Sequence, residues 1–163
     1  MAPAVTGTVE EWVSTLPAAP IMYPEKKADW LKYAFWRLYT PCHPYIRDLA
    51  LSAGIVKHTG RQDYLLGRIG PNETVESFVA FLIRRGYGNH FIAWKDDNEI
   101  VSLRYIENFK YQYHIRIFED GEVRGHYELT PEAHPIKHLQ EIGQESRREE
   151  FLRLFGDRVV PYV

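Results

Sequence analysis

The stretch YQYHIRIFEDGEVRGHYEL, residues 111–129, decides the fold. Apolar and polar side chains alternate on both sides of EDG, the period of two strands joined by a tight turn. A two-residue Asp120-Gly121 loop would pair Glu119 with Glu122 and leave both faces mixed. A three-residue loop with Gly121 in the left-handed conformation pairs Phe118 with Glu122 instead. That register puts Tyr111, Tyr113, Ile115, Ile117, Val123, Tyr127 and Leu129 on one face. The other face receives Gln112, His114, Arg116, Arg124, His126 and Glu128. A slip of one residue moves a whole set of side chains to the wrong side, so burial selects the sorted arrangement. His114 is then predicted opposite His126, Arg116 opposite Arg124, and Gln112 opposite Glu128.

Working outward, residues 99–105 (EIVSLRY) alternate in the same way and add Arg104 to the polar face. Residues 90–94 (HFIAW) form a further strand across a KDDN turn, and the preceding YGNH reads as a loop. Residues 63–69 (DYLLGRI) read as a short strand. In the helix after GPNET, capped by Asn72 or Thr74, Val75, Phe78, Val79, Leu82 and Ile83 make a continuous apolar stripe. Thr8 and Glu11 have the spacing of a capping box. Residues 25–39 have helical spacing at Trp30, Ala34 and Leu38, with Leu31 and Phe35 beside them. A second helix runs from about Tyr45 to Ala53 and stops at Gly54. Toward the C-terminus a helix starts near Pro135, where a missing N–H is tolerated, and ESRREEFLRLFG forms another.

The expected architecture is therefore α+β. It is a single domain over residues 1–163 with a loose tail at 1–7. A four- to five-stranded, mainly antiparallel sheet, a β-meander, carries helices packed on one face. A length of 163 residues fits one domain of ~100–200 residues. Net charge is −2, which argues against a protein that coats nucleic acid through bulk charge. The one cysteine, Cys42, excludes an internal disulfide and suits a reducing compartment. Neither a signal-peptide pattern nor an apolar run of ~20 residues is present, so a cytoplasmic protein with no membrane partner is expected.

Three arginines and two histidines beside one carboxylate make the sheet's polar face the candidate site. Like charges placed opposite each other destabilise a strand pair. A bound anion would relieve the Arg116–Arg124 pair, since guanidinium forks match phosphate. The first functional expectation is a protein that binds a phosphate-bearing ligand, nucleotide or RNA/DNA, through Arg104, Gln112, Arg116 and Arg124. The second is a metal-independent phosphodiesterase or ribonuclease with His114, His126 and Glu128 as catalytic groups. Helices ahead of an antiparallel sheet bearing Arg, His and Glu resemble the barnase- and RelE-like ribonucleases in architecture and residue type. The resemblance implies that such a sheet can host this reaction. The third is an interaction module, with a homodimer among its forms. His134 and His138, four apart, resemble a zinc-site spacing, but proline stands at 135 where HExxH has its glutamate. They read as surface histidines, and His90 as a structural one, so no metal and no cofactor are expected. Tyr45 to Ile69 resembles a helix-turn-helix only faintly, because Gly60 and Gly67 interrupt the second element.

Overall fold

A computed structural model describes residues 8–54, 64–90 and 95–162. The quoted hairpin is its centre. β4 (Tyr111–Phe118) and β5 (Glu122–Leu129) pair in the sorted register, with Ile115 opposite Gly125, Arg116 opposite Arg124 and His114 opposite His126. Gly121 has φ 83°, and its N–H donates to the Phe118 carbonyl at 2.9 Å. A side chain at that φ is strained, so glycine fixes the loop and with it the register.

One antiparallel sheet is built around the hairpin in the order β2-β3-β4-β5-β1-β6. β3 (Glu99–Ile106) lies beside β4, and β1 (Leu65–Ile69) beside β5. Two strands were not anticipated. β6 (Val159–Pro161) pairs with β1 on the far edge. β2 (Gly88–Asn89) occupies part of the YGNH segment expected as a loop and pairs with Leu103 and Arg104 of β3. Gly88 explains it: a Cβ there would lie 2.4 Å from the Ala19 nitrogen, so only glycine lets residues 17–19 run alongside. The expected strand at 90–94 falls largely outside the described residues, as does the HTG loop; the second element of the helix-turn-helix resemblance lies outside them around Gly60 and is strand β1 around Gly67.

The apolar face is packed by helices. Residues of α4 (Val75–Arg84), namely Phe78, Val79 and Leu82, form one core with Ile115, Ile117 and Val123 of the hairpin. Phe151 and Phe155 of α6 (Arg148–Phe155) join it, as does Val13 of α1 (Val9–Ser14). The predicted caps form: Thr8 and Glu11 make the capping box of α1, and the Thr74 side chain accepts from the Ser77 N–H at the start of α4.

α2 (Lys27–Tyr39) is the expected helix, but its buried side chains are Asp29, Tyr33 and Trp36. Leu31 and Leu38 are exposed. The helix carries two apolar stripes, and the aromatic one packs with Phe109 and Ala133 in a second, smaller core. A 3-10 turn (Thr40–Cys42) leads into α3 (His43–Ser52), and Cys42 is an exposed thiol. α5 (Pro135–Leu139) begins at its proline and packs against both β5 and α2. It therefore lies on the polar side of the sheet and adds cover there. No helix among the described residues is long and apolar enough to cross a membrane.

Candidate functional site

Strand alternation brings the predicted polar residues together. Arg104, Gln112, His114, Arg116, His126 and Glu128 share one face, and Ser102 lies among them. They are buried: Arg104 is 0% exposed, Arg116 1%, His126 2% and Glu128 3%. The polar face read from the sequence as a ligand site is thus closed off from water. Carboxylates from elsewhere in the chain, together with α5 and the turn before it, close over the face.

The arginine half is neutralised from within. Arg104 makes a two-pronged pair with Glu132, Nη1 to Oε2 at 3.1 Å and Nη2 to Oε1 at 2.8 Å. Arg104 Nη1 also donates to Gln112 Oε1 at 3.2 Å. Arg116 Nε donates to Glu99 Oε2 at 2.9 Å, its Nη2 bonds the same oxygen, and Nη2 lies 2.7 Å from Asp96 Oδ2. Glu99 reaches this face because a bulge between Glu99 and Val101 interrupts the alternation of β3. Arg124 pairs with Glu122. The Phe118 ring lies under both opposed guanidiniums, 5.3 Å from Arg116 and 4.5 Å from Arg124. The relief expected from a bound anion is thus supplied by protein carboxylates. Two buried donors remain without a hydrogen-bond partner, Arg104 Nε and Arg116 Nη1.

The histidine half is organised around Glu128. Its Oε1 accepts from Gln112 Nε2 at 2.8 Å and lies 3.3 Å from His114 Nδ1. Its Oε2 accepts from Gln144 Nε2 at 3.4 Å. The same oxygen lies 3.1 Å from His126 Nε2 and 3.5 Å from His138 Nδ1. The His126 contact is short, yet Nε2 is not aligned for a hydrogen bond. On its other side His114 meets Ser102, with Nε2 and Oγ 2.7 Å apart. The rings of His90 and Tyr64 complete the cluster, 5.1 Å from His114 and 5.0 Å from His126 respectively. His90 is 3% exposed, and neither of its ring nitrogens has a hydrogen-bond partner among the described residues. A buried polar atom left unsatisfied costs about 1–3 kcal/mol, which marks this end of the face as incomplete.

Burial lowers the pKa of His114 to about 3, against the smaller raising influence of Glu128, so its imidazole is neutral near pH 7. Burial, with Arg104 nearby, holds His90 well below the ordinary histidine range. Burial alone would raise Glu128, but the imidazoles of His138, His126 and His114 hold it well below the usual carboxylate range. The site is therefore an ionised carboxylate ringed by imidazoles, two of them strongly held neutral.

Of the residues expected from the sequence, Arg124 stands somewhat apart, half-buried at the turn end of the hairpin. His138 joins Glu128, whereas His134 caps α5 and stays out of the cluster. His138, read from its spacing to His134 as a surface histidine, and His90, read as a structural one, both reach the cluster through long-range approaches that the sequence does not show. Glu132 likewise arrives from the segment after β5, whereas Glu99 reaches the face through the bulge in β3. No family model, no curated protein and no solved structure matches the chain.

Proposed function

We propose that the protein is a hydrolytic enzyme acting on a small phosphate ester or diester, with its reaction centre at the interior His114–His126–Glu128 cluster. The observation that carries this reading is the placement of His114 between the Ser102 hydroxyl and the Glu128 carboxylate, beside a second buried imidazole. Perturbed titratable groups converging in one place are the usual mark of acid–base chemistry. Burial favours a small substrate over an RNA or DNA duplex, whose backbone cannot reach an interior sheet face. The unpartnered Arg104 Nε and Arg116 Nη1 support a phosphate-bearing ligand, since both residues flank His114 on that face.

The test is turnover of small chromogenic phosphate monoesters and diesters and of nucleoside 2′,3′-cyclic phosphates. Glu128→Gln is expected to reduce turnover by about 10²–10⁴-fold while the far-UV circular dichroism is retained. An absence of turnover across the panel, or equal turnover by the variant, would refute the reading. A non-catalytic binding role would rest on the same unpartnered donors, Arg104 Nε and Arg116 Nη1. Stabilisation by phosphate or nucleotide without turnover would support that role instead.

A further inference from the structure

We propose that the cluster is a binding site for one divalent first-row transition metal ion, held by His114, His126 and Glu128. The inference rests on the same cluster being the reaction centre, and adds to it an ion that the sequence did not announce.

Four observations carry it. First, one ligand atom from each of His114, His126 and Glu128 can be chosen so that all lie within 4.8 Å of one another, with all three residues buried. Bonds of about 2.0–2.2 Å set neighbouring ligand atoms about 3.0–3.5 Å apart around a metal. The contacts of Glu128 with His126 at 3.1 Å and with His114 at 3.3 Å have that spacing.

Second, the closest of these contacts, that of His126 with Glu128, is not aligned as a hydrogen bond. His126 Nε2 is buried at 3.1 Å from Glu128 Oε2 and still has no hydrogen-bond partner. Both His90 ring nitrogens are buried and unpartnered among the described residues as well. A buried imidazole nitrogen and a carboxylate oxygen this close, with no hydrogen bond joining them, are suited to share one ion.

Third, the charges do not close. Glu132 is matched by Arg104, and Glu99 by Arg116. Glu128 touches only amides and imidazoles: Gln112, Gln144, His114, His126 and His138. No guanidinium or ammonium among the described residues pairs with it. A buried carboxylate needs a cation, which is here either a proton on an imidazole or a metal ion.

Fourth, the surroundings are those of a metal site. Ser102 Oγ engages His114 Nε2 and so leaves Nδ1 toward Glu128. Gln112 and Gln144 each hold one carboxylate oxygen. His138 Nδ1 is engaged by the Leu129 carbonyl at 2.9 Å. Such outer partners fix the tautomer and orientation of ligands. Two imidazoles and a carboxylate select zinc, iron, cobalt or manganese over calcium or magnesium, which prefer oxygen-only sets.

The experiment uses the full chain without a polyhistidine tag. Its metal content is measured by mass spectrometry after purification and after dialysis against Zn²⁺, Co²⁺, Mn²⁺ or Fe²⁺ followed by buffer. One ion per chain is expected, with Co²⁺ producing visible absorption and Zn²⁺ abolishing it. A chelator should lower the melting temperature of the wild type, a readout that needs neither a variant nor activity. Glu128→Gln and His126→Ala should weaken Zn²⁺ affinity by about a hundredfold or more, whereas His134→Ala should leave it unchanged. Failure to retain any of the four ions stoichiometrically would overturn the site, as would retention unaffected by Glu128→Gln. Turnover that persists in metal-free, chelator-treated protein would overturn the metal site and leave the hydrolase standing. A stoichiometric ion without turnover of any phosphate ester would support the metal site and overturn the hydrolase.

Discussion

The two faces of the sheet are both buried, and they are buried by opposite means. On the apolar face Ile115, Ile117 and Val123 meet Phe78, Leu82 and Phe155, and each contact is favourable without needing a particular partner. On the polar face every burial incurs a desolvation penalty that only a specific partner can offset. Arg104 finds Glu132, and Arg116 finds Glu99 and Asp96. Among the described residues Glu128 finds only imidazoles and amides, and His90 finds no hydrogen bond. The arginine half closes its charges, although Arg104 Nε and Arg116 Nη1 stay without a partner, whereas the carboxylate of the histidine half meets no guanidinium or ammonium among the described residues.

Breaking the comparison starts with the fully buried ion pair. Arg104→Ala leaves Glu132 charged and alone, and should destabilise the fold by about 3–5 kcal/mol in urea denaturation. Replacing both partners together, Arg104→Met with Glu132→Leu, should recover most of that loss. If the double variant is as unstable as the single, the pair does more than neutralise itself. On the other face Leu82→Ala should cost about 2–5 kcal/mol, with no partner change able to rescue it.

Acid should act on the histidine half next. His114 titrates at about 3 when folded and near 6.5 when unfolded, so the unfolded chain takes up a proton first as pH falls. Stability is therefore complete above about pH 6.5 and declines progressively toward pH 3. His90 and Glu128, both depressed in the fold, act in the same direction, Glu128 only below its ordinary carboxylate range. Chemical denaturation followed between pH 7 and 4 should lose a few kcal/mol, and His114→Gln should flatten the slope. A pH-independent midpoint would show that His114 is not buried neutral.

The smallest effect sharpens the contrast at the rim. Thr8→Ala removes the capping box of α1 and should cost about 1 kcal/mol. Neither face of the sheet should notice, so the chelator response and the pH slope should be unchanged.

How much of this was readable in advance follows from the range of the interactions. Gly121 and strict alternation fixed the hairpin register, a local matter, and all seven pairs of β4 with β5 agree with it. The sidedness of His114, Arg116, His126 and Glu128 followed from that. Their burial did not, because the covering groups arrive from afar. Glu132 comes from the segment after β5, and Glu99 reaches the face only through a bulge that alternation cannot foresee. β2 needs the approach of residues 17–19, and β6 is three residues long, too short for a periodic signal. In α2 the aromatic tips of Tyr33 and Trp36 compete with a second apolar stripe, and spacing alone cannot say which one turns inward.

The backbone around Gly88 has one more consequence. Asn89 donates its N–H to Pro17 at 2.8 Å and accepts from Ala19 at 3.1 Å, so both its main-chain groups are occupied. At Asn89 the sheet's margin therefore offers neither donor nor acceptor to a stranger's strand. The opposite margin ends in Pro161, which has no N–H to give. A chain so rich in tyrosine and isoleucine strands is thereby guarded against lateral growth into aggregates.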